Sequence, residues 1–179
     1  MELRRAPVGT LEPRAGSRPR GPAIRVSRGA GSGPTRLAAF DGALAAAGVA
    51  DFNLVRLSSV IPPGATVAAG ADGTRLPGGF GDVLYCVYAE AYASTPGETT
   101  WAGLAWTRRE ADGAGLFVEQ HGATEALLLD RLHATVGDLA ERRGGGFGPT
   151  ETMTASARCT GPDACALVVA AYRTAGWVP

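Results

Sequence analysis

Apolar residues recur at helical spacing in two separate stretches of the chain. The first stretch predicts a helix from Thr35, which can cap its amino terminus, to Ala47, which the stop residue Gly48 follows. The second stretch predicts a longer helix from Thr124 to Arg143, with leucine and valine along one side. Both helices are therefore expected to be amphipathic, with one apolar side each.

Short runs of β-branched, aromatic and small apolar residues lie around these helices and end at glycine, proline or other turn residues, which predicts strands. The predicted strands are Ile24–Ser27, Asp51–Ile61, Val83–Ala93, Thr99–Thr107, Gly115–Gln120, Met153–Arg158 and Cys165–Tyr172. Residues 164–171 are rich in alanine and could instead form a helix, and residues 64–81 are predicted as a loop. Each helix is flanked by strands, so the pattern predicts an α+β fold with two similar halves.

The segment Gly29-Ala-Gly-Ser-Gly-Pro34 lies between the first predicted strand and the first helix. A glycine-rich loop before a helix can bind phosphate through backbone N–H groups. Here no Lys-Ser/Thr pair follows the glycines, so the segment is predicted as a plain loop.

Composition and charge separate the amino-terminal segment from the rest of the chain. The 179 residues fit one compact domain, placed at 23–179, and 45% of them are hydrophobic, as in globular proteins. Residues 1–22 lack periodicity and are rich in arginine, proline and glycine, which predicts a disordered basic extension. Residues 1–28 hold seven arginines against two glutamates, so a nucleic-acid-binding arm is an alternative. No aromatic residue is interleaved to stack on bases, and the plain extension is favoured.

The cysteines and histidines exclude some kinds of site. The three cysteines are widely spaced and form no Cys-x-x-Cys pair, so neither a disulfide framework nor a zinc site is predicted. The two histidines are too far apart in sequence to indicate a metal site. A reducing cytoplasm is the expected compartment. No window of 18 apolar residues predicts a membrane span, and the charged amino terminus does not have the form of a secretory signal.

The segment Asn53-Leu-Val-Arg-Leu-Ser-Ser-Val-Ile-Pro-Pro63 carries the strongest chemical signal. It places two adjacent hydroxyls in an extended apolar stretch that runs into a Pro-Pro stop. The hydroxyl of Ser59 can attack the carbonyl of Ser58 and convert the amide to an ester. Elimination from that ester leaves dehydroalanine, which rearranges and loses ammonia to become a pyruvoyl group. The pair therefore predicts self-cleavage between Ser58 and Ser59.

With its flanks, this segment resembles the pyruvoyl-dependent arginine decarboxylases. The resemblance is carried by Leu37-Ala-Ala-Phe-Asp-Gly-Ala-Leu44, the segment from Asn53 to Pro63, Pro96-Gly-Glu98, Gly115-Leu-Phe-Val-Glu119 and the neighbourhood of Cys165, and it runs from about Ile24 to the carboxyl terminus. It implies a four-layer α/β/β/α sandwich built from a duplicated motif. It also implies homotrimers with sites between neighbouring subunits, and decarboxylation of arginine to agmatine.

The resemblance also implies a role for single residues. Cleavage would give a β chain 1–58 and an α chain 59–179 that begins with the covalent pyruvoyl group made from Ser59, a ketone that condenses with the substrate amine and acts as an electron sink. Asn53 would donate to the oxyanion of the cleavage step. Glu119 would reprotonate the substrate carbon, for which burial must raise its pKa. Asp41 would bind the guanidinium and Leu44 the methylene stem of the substrate.

Each residue also has a plainer interpretation when it is considered without the resemblance. Asp41 could be a solvated helix residue, Asn53 a strand-start residue, and Glu119 an ordinary strand-end carboxylate. The segment Gln120-His-Gly122 departs from the family pattern beside Glu119. Two functional alternatives stay open: the same chemistry on another amino acid, and an unprocessed structural or regulatory homologue.

Overall fold

The computed structural model describes residues 21–70 and 73–177. The predicted disordered extension at 1–22 lies outside these residues except for its last two. Within the described part, nine strands and two helices are present. In chain order they are β1 (Ala23–Gly33), α1 (Arg36–Ala46), β2 (Asn53–Arg56), β3 (Val60–Ile61), β4 (Thr66–Ala69), β5 (Val83–Ala93), β6 (Thr99–Arg108), β7 (Gly115–Gly122), α2 (Glu125–Arg142), β8 (Glu151–Arg158) and β9 (Asp163–Ala175).

The strands form two sheets that pack face to face between the two helices. The first sheet has the order β2-β5-β9-β1-β4, and the second has the order β3-β7-β6-β8. One core lies between the sheets, a second lies between α1 and the first sheet, and a third lies between α2 and the second sheet. The predicted four-layer α/β/β/α sandwich is therefore confirmed.

A split strand-helix-strand unit occurs once in each sheet. Helix α1 connects β1 to β2, and these two strands run parallel to each other. Strands β9 and β5, which pair antiparallel with one another, lie between them. Helix α2 connects β7 to β8, which also run parallel, with β6 between them. Both helices begin after a capping threonine. Thr35, the predicted cap, accepts from the N–H of Ala38, and Thr124 accepts from that of Leu127. The duplicated motif predicted from the sequence is confirmed.

The predicted loop at Gly29–Pro34 is wrong, because residues 29–33 continue strand β1 and pair with β9. The glycines allow a close approach of α1 to the sheet. A Cβ at Gly31 would overlap the backbone of Ala39 and Ala43, and a Cβ at Gly29 would overlap Ala43. Glycine therefore serves helix packing here rather than chain reversal.

Two further predictions change in the structure, and the strand predicted at Cys165–Tyr172 is confirmed over its helical alternative. The predicted strand at Asp51–Ile61 is two strands, β2 and β3, which lie in different sheets. The predicted loop at 64–81 contains β4, a short parallel edge strand beside β1. Residues 164–171 are strand rather than helix, because β9 is the central strand of the first sheet and is buried on both faces.

Replacing Gly31 with alanine is expected to destabilise the fold. The added methyl group has no free space under α1, and overpacking of this kind costs about 1–3 kcal/mol in the free energy of unfolding. The matched control is Gly137→Ala on α2, where no atom lies within 4 Å of the added methyl and the helix gains roughly 0.5–1 kcal/mol. Urea unfolding of both variants measures the contrast, and equal stability of the two would contradict the close packing.

Candidate active site

The Ser58-Ser59 peptide bond lies where the chain crosses from one sheet to the other. The N–H of Leu57 donates to the carbonyl of Cys86 in the first sheet at 2.9 Å. The carbonyl of Ser59 accepts from the N–H of Phe117 in the second sheet at 2.8 Å. Ser58 is exposed and stands between these two attachments. The backbone hydrogen bonds to the first sheet therefore end before the peptide bond that the sequence predicts to be cut, and those to the second sheet begin after it.

The backbone of Ser59 is strained. Its φ of 66° is the only positive value at a non-glycine residue among those the structure describes. A left-handed conformation costs a non-glycine residue about 1–3 kcal/mol, and such strain is concentrated at functional sites. Both neighbouring attachments hold the residue in this conformation, so the strain sits beside the predicted cleavage point.

The side chain of Ser59 meets Glu119. The Oγ atom of Ser59 donates a short hydrogen bond to Oε1 of Glu119. Glu119 is half-buried on β7, two residues after Phe117, whose side chain lies in the core between the sheets. Because side chains alternate along a strand, Glu119 points toward the same space between the sheets. The structure therefore brings together two of the predicted site residues, which are 60 positions apart.

Two clefts lie at this pair, one lined by both residues and the other by Glu119 alone of the two. One, of ≈ 290 Å³, is lined by Ser58, Ser59, strand β7 and helix α2. The other, of ≈ 270 Å³, is lined by Arg56 and Glu90 of the first sheet and by Glu119, Gln120 and His121 of the second. The residues after Glu119 that depart from the family pattern therefore line a cleft next to the site.

Tyr172 is a site residue that the sequence did not reveal. Its Oη atom donates to the carbonyl of Val60 at 3.1 Å, and its ring meets that of Phe117 edge-on with centroids 6.0 Å apart. Burial, and then the negative charge of Glu119, raise the pKa of Tyr172. Nothing in the sequence marks this tyrosine beyond its place in a predicted strand, because its contact joins two sheets.

Asn53 does not reach Ser59 within one chain. It begins the extended strand β2, which places it roughly 13 Å before Leu57 at about 3.3 Å per residue. Its Nδ2 atom instead donates to the carbonyl of Gly81 at 2.6 Å, and Nε1 of Trp177 donates to the same carbonyl at 2.7 Å. The role of Asn53 in cleavage stays a prediction.

Asp41 and Leu44 lie on the other side of the first sheet from Glu119. Both belong to α1; Asp41 is exposed, and Leu44 is buried in the core between α1 and that sheet. One subunit therefore does not place the predicted substrate-binding residues beside the Ser59–Glu119 pair. Their roles also stay predictions.

The cysteines offer no competing nucleophile. All three are free and buried. Burial raises the pKa of Cys86 to about 12 and, with the charge of Glu90, that of Cys165 to about 11, so both are protonated thiols at neutral pH. Among the described residues there is no group of three or more potential metal ligands, and no helix there has the length and apolarity to span a membrane.

Comparison with known proteins places the chain in a family. Residues 23–175 match the family model for pyruvoyl-dependent arginine decarboxylase. A pyruvoyl-dependent arginine decarboxylase of Halobacterium salinarum is 42% identical over 157 residues, which cover 84% of this chain and 94% of the relative. That of Thermoplasma volcanium is 32% identical over 129 residues, 66% of this chain and 70% of the relative.

The solved structure of a pyruvoyl-dependent histidine decarboxylase at pH 8 is also similar. It is 20% identical, has a TM-score of 0.40, and the match covers 55% of this chain and 52% of the other. The family match extends over both sheets and both helices and includes Ser59 and Glu119. The chain belongs to the pyruvoyl-dependent arginine decarboxylase family.

Proposed function

We propose that this protein cuts itself between Ser58 and Ser59 and, in the cut form, decarboxylates L-arginine to agmatine and carbon dioxide. The observation that carries the proposal is the strained Ser59 at a sheet crossover, with its hydroxyl bound to Glu119. The family match and the names of the relatives support arginine as the substrate.

The cleavage step uses groups that the chain already holds. The Oγ atom of Ser59, oriented by its hydrogen bond to Glu119, attacks the carbonyl carbon of Ser58, and its proton passes to the former amide nitrogen as the C–N bond breaks. Elimination then removes the Cα proton of residue 59, breaks its Oγ–Cβ bond and leaves Ser58 with a carboxylate. The dehydroalanine that remains tautomerises to an imine, and one water hydrolyses it with release of ammonia. The products are a β chain 1–58 and an α chain 59–179.

The strained backbone favours this reaction. An ester at residue 59 no longer has the amide bond that holds φ at 66°, so part of the strain is released as the bond breaks. A release of 1–3 kcal/mol would accelerate cleavage about 5- to 150-fold. The hydroxyl is thus activated mainly by geometry rather than by a strong base.

The residues around position 59 fit a pyruvoyl group at the new chain end. A pyruvoyl ketone supplies an electron sink for the charge left when carbon dioxide departs. The N–H of Phe117 continues to bind the carbonyl of residue 59, and Ile61 stays fully buried in the core between the sheets. Glu119 lies beside residue 59, where it can return a proton to the substrate carbon.

The position of Asp41 favours a site shared between subunits of a homotrimer. Asp41 and Asn53 do not reach Ser59 within one chain, so a neighbouring subunit would supply them. Exposed apolar side chains lie on the same elements, with Leu37 of α1 77% exposed and Val55 of β2 41% exposed. A subunit contact there would bury apolar surface and bring the guanidinium-binding carboxylate to the cut chain end. We place this assembly in the cytoplasm, with residues 1–22 as an extension outside the 23–179 domain.

Mixing one impaired and one inactive variant is expected to restore activity if the site is shared. Asp41→Ala removes the proposed guanidinium partner, a loss of roughly 10- to 150-fold in kcat/KM for arginine, and Ser59→Ala removes the pyruvoyl source. Co-refolded trimers would contain sites that combine Ser59 of one chain with Asp41 of another. Decarboxylation well above that of either variant alone is the expected result. Activity no higher than the sum of the two would contradict the shared site.

The proposed function as a whole is tested on the purified protein. Mass spectrometry should find two chains, with the second blocked to amino-terminal sequencing, and carbon dioxide release should be fastest with arginine. An intact chain would contradict self-processing. Carbon dioxide release from histidine or aspartate but not from arginine would contradict arginine as the substrate and would support the pyruvoyl chemistry.

A further inference from the structure

Cleavage would leave residue 59 at the end of a very short strand. Strand β3 has only two residues, Val60 and Ile61, and lies at the edge of the second sheet with β7 as its one neighbour there. The side chain of Ile61 is fully buried, whereas that of Val60 is 54% exposed and contributes little anchoring. Chain ends fray unless they are held, so Val60 needs support from outside its own sheet.

Tyr172 supplies a contact of this kind from the other sheet. Its hydroxyl donates to the carbonyl of Val60 at 3.1 Å, and Val60 is the second residue after the predicted cleavage point. The tyrosine is only 9% exposed, and its ring is held edge-on against Phe117, the residue whose N–H binds the carbonyl of Ser59. A buried phenol needs a hydrogen-bond partner, and the Val60 carbonyl is the partner in this structure.

The strand that carries Tyr172 is irregular at this residue. On β9, Ala171 pairs with Cys86 and Arg173 pairs with Tyr85, so Tyr172 is the extra residue of a β-bulge. Bulges bend a strand, re-aim side chains and occur often beside active sites. The pKa of Tyr172 is raised by burial and by the charge of Glu119, so the phenol stays protonated and able to donate.

We propose that Tyr172 is a positioning residue whose hydroxyl holds the Val60 carbonyl, so that residue 59 keeps its place beside Glu119 after the chain is cut. Before cleavage, residues 57–60 are fixed from both ends, since Leu57 is bonded to the first sheet and Ser59 to the second. After cleavage the upstream connection is gone. The hydroxyl therefore matters more in the cut protein than in the uncut one. This inference rests on the proposed function.

The variant Tyr172→Phe removes only the hydroxyl and keeps the ring that packs on Phe117. Cleavage is expected to go to completion, with pyruvoyl content by mass equal to that of the parent. Loss of one neutral hydrogen bond from the mobile end should lower kcat about three- to tenfold, with KM changed less than twofold. The matched control is Tyr92→Phe, a half-buried tyrosine on the opposite face of the same sheet, which should keep the parent kcat.

Amide hydrogen exchange separates positioning from general packing. In the cut Tyr172→Phe protein, the Phe117 amide and the 60–61 segment should exchange faster than in the parent. In an uncut Ser59→Ala background, adding Tyr172→Phe should change these rates little. A kcat of Tyr172→Phe equal to that of the parent would overturn the inference and leave the proposed function standing. An equal increase of these exchange rates in the cut and uncut forms would do the same. A parent protein that is not cut would instead overturn the proposed function, and this inference with it.

Discussion

Ser59→Ala is expected to remain one chain of 179 residues with no measurable decarboxylation. Alanine has no hydroxyl to attack the Ser58 carbonyl, so neither the ester nor the ketone can form. Loss of a covalent nucleophile removes as much as about 10⁶-fold in kcat in enzymes where it has been isolated, and here the electron sink is lost as well. Intact mass and carbon dioxide release measure the two losses separately.

Two further variants, one at position 58 and one at position 59, serve as controls for this result. Ser58→Ala keeps the carbonyl that is attacked and removes only an exposed side chain, so it should be cut and active. Ser59→Gly also lacks the hydroxyl but adopts a φ of 66° without a steric penalty. It should stay uncut and be more stable than Ser59→Ala by roughly 1–2 kcal/mol. Cleavage of Ser59→Ala at the bond between residues 58 and 59 would contradict the role of Ser59. Equal stability of Ser59→Gly and Ser59→Ala would contradict the backbone strain.

The elements of the fold could be predicted from the sequence because their signals are local. Thr35 caps the first helix as expected, the second helix lies within one residue of its predicted bounds, and the flanking strands lie within a few residues of theirs. The exceptions depend on tertiary contacts. Glycine usually marks a turn, yet Gly31 lies inside β1 because α1 packs directly on it. The apolar run at Asp51–Ile61 is continuous in sequence and does not show that the chain changes sheets.

The candidate site could be predicted only in part. Ser58 and Ser59 are adjacent, so their chemistry could be inferred from the sequence, but the contact of Ser59 with Glu119 spans 60 positions and was implied only by family resemblance. Tyr172 could not be predicted as a site residue, because its hydrogen bond to Val60 joins two sheets across 112 positions. Asp41 was named from the resemblance, and its distance from Ser59 within one chain follows from its place on α1, across the first sheet.

The two proposed roles of Glu119 are linked by the cleavage itself. Before cleavage its carboxylate accepts a hydrogen bond from the Oγ atom of Ser59. That oxygen leaves with the β chain as part of the new carboxylate of Ser58. Glu119 then loses its partner and faces residue 59, where it can hold a proton for the substrate carbon. In the proposed function, the same side chain thus serves the uncut and the cut protein at different steps.

Glu119→Gln is therefore expected to be cut normally and to decarboxylate arginine poorly. Glutamine has the same size and keeps an oxygen that accepts from Ser59, so the geometry of the attack survives. It cannot deliver a proton, and loss of a general acid lowers kcat about 10²- to 10⁴-fold. The matched control is Glu125→Gln, which also alters a carboxylate bound to a hydroxyl, that of Thr154, and should keep parent activity.

Intact mass and steady-state kinetics together decide between the possible roles of Glu119. A cut Glu119→Gln protein with parent kcat would show that another group protonates the substrate. A protein that stays uncut would show that the negative charge is needed to take the proton from Ser59, and would make Glu119 the base of the cleavage step. The expected result, complete cleavage with kcat reduced at least 100-fold, would assign Glu119 to the decarboxylation step, because only that step needs a proton donor at this position.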